Sequence, residues 1–261
     1  SAEVCLVVVP SHAFASLVAR LPIDHVRRIG LSWATKGLDP QSGTLLHQVA
    51  AAALPDTAFA VVSGPSFAGE VARDLPTAVT VASEDAALAA RVAAKLHGDR
   101  FRAYTSTDLV GVEISGAAKN VLAIATGIAD GLGFGANTRA ALITRGLSEL
   151  MRLGAALGGE RETFMGLAGV GDLVLTCTDN QSRNRRMGLA LARGLGVEAA
   201  RSEIGQEVEG VVTARSIHRL AASVGVEMPI SEQVYRVLYE GASPLEATAA
   251  LLDREPKAEF L

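Results

Sequence analysis

The stretch ISGAAKNVLAIATGIA, residues 114–129, is long enough for a buried helix, and Lys119 is its only charged residue. An ammonium group surrounded by Ala, Val, Ile and Gly loses hydration, so we expect its pKa to fall towards neutrality. A lysine with such a pKa can both donate and accept a proton. The alternative is a structural lysine whose side chain reaches from a core helix to nearby solvent.

Upstream of this helix, strand and helix patterns alternate. Short apolar runs, most of them rich in β-branched or aromatic residues, predict strands at 6–9, 29–34, 58–62, 77–82 and 101–105. Helical patterns lie between several of these runs, notably at 44–54 and 86–96. Runs that are apolar on both faces suit a sheet covered on both sides. The alternation therefore predicts a parallel, doubly wound sheet.

In the second half of the chain the strand patterns stop and helical patterns take over. The first two predicted helices are 108–131, with Asp108 as N-cap, and 137–157, with Asn137 as N-cap. Further helices are predicted at 184–194, 210–224, 229–240 and 244–252.

This change of pattern predicts two domains. A partial α/β domain occupies residues 1–107, and an all-helical domain occupies residues 108–261. A chain of 261 residues is long enough to bury a substantial core in such an arrangement. Since no flexible linker separates the two halves, we expect them to pack closely.

Composition and charge exclude several classes of function. The formal net charge is -4 and the sequence pI is about 5.8, with acidic and basic residues interspersed, so we expect no nucleic-acid surface. No apolar run approaches the roughly 20 residues that cross a bilayer, so we expect no membrane insertion. Cys5 and Cys177 lie far apart without metal-ligand spacing, which predicts reduced thiols of a cytosolic protein and no metal site.

Small and polar residues follow the first three predicted strands. They are Pro-Ser-His at 10–12, Thr-Lys-Gly at 35–37 and Ser-Gly-Pro-Ser-Phe-Ala at 63–68. Ligands bind beyond the carboxyl ends of strands in an open parallel sheet, where such residues expose backbone amides. Each segment alone favours an ordinary strand-to-helix turn over a ligand site. Lys36 is the strongest candidate, because its ammonium group would point at this edge and hold a carbonyl oxygen or a phosphate.

The helical half adds a glycine-rich segment, GLAGVGDLVLTCT at 166–178. Its glycine spacing is reminiscent of a dinucleotide-binding loop, but that fingerprint requires a preceding strand, and here a helical pattern precedes it. Asp172, which follows the last glycine, is therefore the candidate functional residue of this segment.

A basic run follows at 179–186, DNQSRNRR. Here a Ser or Asn caps a predicted helix whose first turn carries arginines. Cations in a first turn oppose the helix dipole, a local cost that a bound anion would offset. The alternative is a solvated basic turn.

Taken together, these segments resemble the bacterial-type NAD(P)-dependent glycerol-3-phosphate dehydrogenases, in order and along nearly the whole chain. The matching segments are VPSHAF (9–14), TKGL (35–38), SGPSFAGE (63–70), GAAKNVLAIATGIADGL (116–132), NTRAALITRGLSEL (137–150), ETFMGLAGVGDLVLTCT (162–178), SRNR (182–185), GQEVEG (205–210) and MPISEQVY (228–235). The resemblance implies a Rossmann-type cofactor domain followed by a helical substrate domain.

The resemblance also implies roles for individual residues. Lys119 would be the catalytic proton donor and acceptor, positioned by Asp172. The implied substrate-binding residues are Lys36, Gly64, Ser66, Lys119, Asp172, Ser182, Arg183 and Asn184, of which Ser182, Arg183 and Asn184 would surround the phosphate end. The implied contacts to NAD or NADP are Lys36, Ala68, Arg183, Val208 and Glu209.

The implied reaction is reversible hydride transfer between NAD(P)H and C2 of dihydroxyacetone phosphate, which gives sn-glycerol 3-phosphate. In the family this product feeds glycerophospholipid synthesis, and the enzyme is cytoplasmic. The sequence leaves the choice between NAD and NADP open. It also leaves the oligomeric state open, with a homodimer as the candidate.

One departure from the family pattern concerns the cofactor. The family's glycine-rich phosphate-binding loop should precede VCLVVVP (4–10), and the 261 residues contain no such loop, so we expect upstream sequence to complete the domain. We accordingly expect the chain alone to bind the dinucleotide poorly and turn over slowly. Two alternatives stay open: a related hydroxyacid or phosphogluconate dehydrogenase, and a non-catalytic chain that binds a triose phosphate or pairs with another subunit.

Overall fold

A computed structural model describes residues 2–255. Within them, five strands form one sheet in the order β1-β2-β3-β4-β5. The strands are β1 Leu6–Val7, β2 Leu31–Trp33, β3 Phe59–Ser63, β4 Thr77–Ala82 and β5 Phe101–Ser106. The helices between them are α1 Ser11–Val18, α2 Ile23–Ile29, α3 Leu46–Ala53, α4 Ala68–Val71 and α5 Ala86–Leu96.

The sheet is mostly parallel, which confirms the predicted class, but one pair of strands departs from it. β1, β2 and β3 run parallel, β4 runs antiparallel to β3, and β5 runs parallel to β4. The connection from β3 to β4 contains only the four-residue helix α4, which rises about 6 Å. Since a parallel crossover needs a helix that returns the chain across the sheet, this connection leads into an antiparallel neighbour instead. The carboxyl ends of β1, β2 and β3 therefore share one edge.

Both faces of the sheet are covered, as the apolar strand runs predict. On one face Trp33, Phe14 and Leu46 form a core with the start of the first helix that follows the sheet. On the other face Val62 and Val81 pack against α5 through residues such as Leu88. The three parallel strands are thus held in a rigid layer whose carboxyl edge carries Lys36 and Gly64.

After β5 the chain is helical. The helices are α6 Leu109–Gly131, α7 Gly135–Ala156, α8 Arg161–Met165, α9 Asp172–Thr178, α10 Arg183–Ala192, α11 Val197–Ile204, α12 Glu209–Ser223, α13 Pro229–Tyr239 and α14 Pro244–Leu252. A single π-helical turn, Leu167–Gly171, leads into α9. Helix α8 precedes that turn, in agreement with the argument against a dinucleotide-binding loop at this glycine-rich segment.

The two predicted N-caps have different outcomes. Asp108 caps α6, since its Oδ1 accepts a hydrogen bond of 2.7 Å from the backbone N–H of Gly111. The prediction for Asn137 is wrong, because α7 already begins at Gly135, after only three connecting residues. Asn137 therefore lies inside the first turn of α7.

Helix α6 is the central element of the helical half. Every residue from Gly111 to Ala129 is buried, and α7, α9, α10 and α12 pack around the helix. Contrary to expectation, α6 is long and apolar enough to span a membrane, judged by length and composition alone. However, 94% of its most apolar 18-residue stretch is buried inside the protein. Lys119 therefore lies in the middle of a core helix.

Two glycines allow α6 and α10 to approach closely. A Cβ atom added at Gly127 would lie 2.2 Å from the carbonyl oxygen of Arg185, and one added at Gly188 would lie 2.1 Å from that of Ile124. Both distances are shorter than any real contact, so only glycine fits at either position. This close approach sets the start of α10 beside the middle of α6.

Candidate active site

Three distant parts of the chain meet at the carboxylate of Asp172. The Nζ atom of Lys119 donates to its Oδ1 at 2.8 Å, and the Nζ atom of Lys36 donates to its Oδ2 at 2.6 Å. Lys36 Nζ also donates to the carbonyl oxygen of Gly64 at 2.9 Å. Four of the predicted site residues are thereby joined by direct hydrogen bonds.

Each of these residues has its place fixed by the element that carries it. Lys36 follows β2 at the carboxyl edge of the sheet, Lys119 lies on α6, and Asp172 is the first residue of α9. A Cβ atom added at Gly116 would lie 3.2 Å from Ser63 Oγ and 3.5 Å from Lys36 Cγ. Gly116 therefore lets the stem of Lys36 lie directly against α6, between the sheet and Lys119.

The site is buried and carries more positive than negative charge. The exposed fraction is 2% for the side chain of Asp172, 7% for Lys119 and 22% for Lys36. One carboxylate faces two ammonium groups here, so it cannot neutralise both. A buried excess of positive charge favours an anionic ligand, because such charges are stabilised only when they are paired.

Burial shifts the pKa of the central lysine as predicted. Loss of hydration lowers the pKa of Lys119 to about 8, opposed by the charge of Asp172 and assisted by that of Lys36. Burial opposes the charged form of Asp172, but Lys119 and Lys36 hold the pKa of this carboxyl below its ordinary value. Near neutral pH the carboxylate is therefore charged, and Lys119 is poised to exchange a proton.

Thr176 is a fifth member of this cluster, and the sequence did not reveal it. Its hydroxyl donates to the backbone carbonyl of Asp172 at 2.6 Å, so its oxygen accepts from Lys119 Nζ at 2.8 Å. With Asp172 and Thr176 each accepting one N–H, Lys119 keeps a third for another acceptor. The available signal was the spacing of four residues between Asp172 and Thr176, which places both on one face of a helix.

The predicted phosphate-binding segment forms the start of α10. Ser182 is its N-cap, and the serine Oγ accepts from the backbone N–H of Arg185 at 3.2 Å. Asn184 is buried, donates to Asn120 Oδ1 at 2.9 Å, and accepts from the N–H of Gly210 at 2.8 Å. Asn120, which follows Lys119 on α6, is a second residue that the sequence did not reveal. It connects the start of α10 to the helix that carries Lys119.

Arg183 does not join these contacts. Its side chain is exposed and has no hydrogen-bond or ion-pair partner among residues 2–255. Arg185 behaves differently, since it is buried and pairs with Asp130 on α6. Arg183 is therefore exposed and available to a ligand, whereas Arg186 is half-buried and its Nε also has no partner among residues 2–255.

The segment after β3 also contacts Lys36. Ser66 Oγ donates to the carbonyl oxygen of Gly64 at 3.0 Å, the same oxygen that binds Lys36, and Ala68 begins α4. Gln181 Nε2 donates to Glu70 Oε1 at 2.8 Å and so ties this segment to the loop before α10. The segment thus closes one side of the site.

The remaining two predicted residues lie at the start of α12. The carboxylate of Glu209 accepts from the backbone N–H of Ser11 at 3.1 Å and from its hydroxyl at 2.6 Å, which brings Glu209 to the carboxyl edge of the sheet. Val208 packs in the apolar core of the helical half, with 1% of its surface exposed. Val208 is therefore a core residue, and its contact with the cofactor stays a prediction.

Neither cysteine nor a metal-binding cluster contributes to the site. Burial raises the pKa of the Cys177 thiol to about 12, so this group is a neutral core residue at physiological pH. Both cysteines are free. Across residues 2–255, no three His, Cys, Asp or Glu side chains are grouped so that they could hold a metal ion.

Comparison with known proteins identifies the family. The family model described as "NAD-dependent glycerol-3-phosphate dehydrogenase N-terminus" matches residues 1–89, and the corresponding C-terminal model matches residues 108–249. The chain belongs to the NAD-dependent glycerol-3-phosphate dehydrogenase family. This membership confirms the predicted resemblance.

Individual glycerol-3-phosphate dehydrogenases are closely similar to the chain. The protein named glycerol-3-phosphate dehydrogenase [NAD(P)+] from Methylococcus capsulatus is 58% identical, over 100% of this chain and 78% of the relative. The one from Thioalkalivibrio sulfidiphilus is 61% identical, over 98% of this chain and 77% of the relative. The crystal structure of glycerol-3-phosphate dehydrogenase from Coxiella burnetii has a TM-score of 0.91 at 49% identity, and covers 97% of this chain and 77% of that one.

These glycerol-3-phosphate dehydrogenases also confirm the fold class. A Rossmann-type layer followed by a helical half is the architecture that the structure shares with the Coxiella enzyme. As a member of this family, the chain is an NAD(P)-dependent oxidoreductase. The roles of individual residues within it stay predictions.

Proposed function

We propose that this chain catalyses the reversible reduction of dihydroxyacetone phosphate to sn-glycerol 3-phosphate, with Lys119 as proton donor and acceptor. The observation that carries this proposal is the carboxylate of Asp172 held between Lys119 and Lys36. A carbonyl group that is reduced to an alcohol needs a proton on its oxygen and positive charge to stabilise the transition state. The two lysines supply both at one place.

Lys119 is suited to the proton transfer because of its partners. Two of its three N–H groups are directed to Asp172 and Thr176, which leaves the third for the C2 oxygen of the substrate. A pKa of about 8 allows Lys119 to give a proton during reduction and to take one during oxidation at cellular pH. Asp172 fixes the direction of the ammonium group and stabilises its charged form.

Lys36 contributes fixed positive charge rather than a proton. It is held by both Asp172 and the carbonyl oxygen of Gly64, so its position requires little rearrangement when charge develops on the substrate oxygen. Preorganised charge of this kind is a large source of rate enhancement in a site from which water is excluded.

The phosphate end of the substrate would bind at the start of α10. Its ten residues give a helix dipole whose positive end meets Ser182 and Arg183. The exposed guanidinium group of Arg183 supplies a forked donor for phosphate oxygens, and Asn184 is already oriented by Asn120. A clasped phosphate fixes the carbon skeleton relative to Lys119.

The described residues fit the nicotinamide end of NAD or NADP. Lys36 and Arg183 offer cations to phosphate oxygens, Ala68 offers a small surface, and the partly exposed carboxylate of Glu209 offers an acceptor to a carboxamide. When bound, the reduced nicotinamide supplies the hydride. The 261 residues contain no G-x-G-x-x-G segment, so the contacts proposed here concern only this end of the cofactor.

A cytoplasmic location follows from the proposed activity. A phosphorylated triose and a dinucleotide are soluble metabolites, and both thiols are free, so we infer a cytoplasmic setting. A homodimer stays the candidate assembly, and sedimentation or light scattering of the purified chain tests it.

A substrate panel tests the proposed function. The purified chain is mixed with NADH or NADPH and dihydroxyacetone phosphate, and oxidation of the dinucleotide is followed; the reverse reaction uses glycerol 3-phosphate. We expect turnover with this pair and none with 6-phosphogluconate or simple hydroxyacids. Turnover of those compounds with dihydroxyacetone phosphate inert would favour the related dehydrogenases.

Calorimetry separates a weak enzyme from a non-catalytic binder. The expectation of slow turnover by the chain alone predicts measurable but weak dinucleotide binding together with triose-phosphate binding. Binding of glycerol 3-phosphate without any binding of the dinucleotide would instead favour a non-catalytic role.

A further inference from the structure

The first residues of α1 and α12 are joined across the cleft between the sheet and the helical half. Ser11 donates to Glu209 twice, from its backbone N–H at 3.1 Å and from its hydroxyl at 2.6 Å. These residues are 198 positions apart in sequence, so the contact is purely tertiary. Ser11 has 2% of its surface exposed, whereas Glu209 is partly exposed. The serine is thus a buried support for a carboxylate that a ligand can reach.

Helix α1 depends on this contact for its cap. Its N-cap is Pro10, which supplies no side-chain hydrogen bond to the first turn. A carboxylate at a helix N-terminus is favoured by the helix dipole and by the free N–H groups there. Glu209, which belongs to the helical half of the protein, therefore caps the N-terminus of α1.

The contact between Ser11 and Glu209 lies next to two segments of the proposed site, one after β2 and one at the start of α12. A Cβ atom added at Gly37, the residue after Lys36, would lie 3.2 Å from Ser11 Cβ and 3.5 Å from Glu209 Oε2. The next residue of α12, Gly210, donates its N–H to Asn184, which binds Asn120 beside Lys119. Glu209 therefore lies beside the backbone that follows Lys36, and no hydrogen bond joins it to either lysine side chain among residues 2–255.

We propose that Ser11 is a positioning residue for the cofactor, holding the carboxylate of Glu209 in place to accept a hydrogen bond from the carboxamide of a reduced nicotinamide. This proposal rests on the proposed function. Both oxygens of Glu209 keep a free lone pair after binding Ser11, so the carboxylate can hold the serine and the carboxamide together. Without the hydroxyl, the side chain of Glu209 gains rotational freedom that it must lose again when the dinucleotide binds.

The test compares Ser11→Ala with the wild-type chain. The dissociation constants of NADH and NADPH are measured by fluorescence titration, that of glycerol 3-phosphate by calorimetry, and stability by urea unfolding without ligand. Loss of one charge-assisted hydrogen bond predicts a rise of about 10-fold in the dissociation constant of the dinucleotide. We expect the constant for glycerol 3-phosphate to change by less than about 2-fold. Ser16→Ala, at an exposed serine later in the same helix, is the matched control and should change neither constant.

A double-mutant cycle identifies the route of the effect. In a Glu209→Ala background, Ser11→Ala should alter dinucleotide binding by less than about 2-fold, because the serine acts through Glu209. Ser11→Cys keeps the volume and weakens the donor, so it replaces Ser11→Ala if the alanine variant does not fold.

Three outcomes would overturn the proposal. The first is a Ser11→Ala variant that loses stability while its dinucleotide affinity is unchanged, which would make Ser11 purely structural. The second is an effect that persists in full without Glu209. The third is a wild-type chain that binds no reduced dinucleotide, and this result alone would also remove the proposed function. In the first two cases the proposed function would stand.

Discussion

Asp172 Oδ1 lies 2.8 Å from the Nζ atom of Lys119, while the other oxygen of the same carboxylate holds Lys36 at 2.6 Å. A buried carboxylate that bridges two lysines has an unequal effect on them, because only Lys119 is almost fully enclosed. Burial lowers the pKa of Lys119, and Asp172 limits how far it falls. The pH range over which the enzyme is active should therefore depend on Asp172.

The two directions of the reaction should have opposite pH dependence. Reduction of dihydroxyacetone phosphate needs the protonated form of Lys119, so kcat should fall as the pH rises through about 8. Oxidation of glycerol 3-phosphate needs the neutral form, so its kcat should rise over the same range. Steady-state rates at saturating substrate, measured from about pH 6 to about pH 10, check this prediction. A kcat that changes in the same direction with pH for both reactions would contradict it.

Asp172→Asn should shift the pH dependence of kcat in both directions of the reaction to lower pH. The charge of Asp172 raises the pKa of Lys119, so its loss leaves burial and the charge of Lys36 to lower that pKa below about 8. We also expect kcat for reduction at neutral pH to fall by about 100-fold or more, because Lys119 loses both its proton and its orientation. Asp99→Asn, at an exposed position, is the control. An unchanged pH dependence of kcat in Asp172→Asn would show that the carboxylate does not set the pKa of Lys119.

Thr176→Val should impair catalysis through the same lysine. The substitution keeps the shape of the side chain but removes the oxygen that accepts from Lys119 Nζ at 2.8 Å. An unpaired buried N–H costs about 1–3 kcal/mol, so we expect a loss of about 10-fold in kcat and a lower free energy of unfolding. Thr176→Ser, which keeps the hydroxyl, should restore most of both. Equal losses in the Val and Ser variants would point to packing instead.

Gly188→Ala should destabilise the protein strongly. The added methyl group would meet the carbonyl oxygen of Ile124 at 2.1 Å, so α6 and α10 must separate. Overpacking of this kind costs typically about 1–3 kcal/mol in the free energy of unfolding. Gly196→Ala is the matched control, since nothing lies within 4 Å of its added Cβ atom. Equal urea midpoints for the two variants would contradict the packing argument.

Much of the site was predictable because its chemistry is local in sequence. One lysine in an otherwise apolar helix predicts burial, and Lys119 is buried with a lowered pKa. Residues that follow parallel strands predict a shared edge, and Lys36 and Gly64 are hydrogen-bonded there. A Ser or Asn before a basic helix predicts an N-cap, and of the candidates Ser182 is the one that caps α10.

The remaining features depend on distances along the chain that no local pattern encodes. Asp172 lies 136 residues from Lys36 and 53 from Lys119, so only the fold shows that one carboxylate serves both. The contact between Ser11 and Glu209 is equally remote. The antiparallel direction of β4 was also not predicted, because an apolar strand pattern does not show which way the strand runs. The short connection through α4 determines that direction.

The most direct test of the central claim is the reduction of dihydroxyacetone phosphate by Lys119→Met, measured as kcat beside Lys95→Met, an exposed lysine on α5. Methionine is similar in length and suits an apolar helix, and its substitution removes a poorly hydrated charge while leaving the ion pair of Lys36 and Asp172, so the free energy of unfolding should not fall. We predict a loss of about 100- to 10,000-fold in kcat for Lys119→Met, with Lys95→Met unaffected. A folded Lys119→Met variant with kcat close to that of Lys95→Met would contradict the assignment of Lys119 as the proton-transfer group.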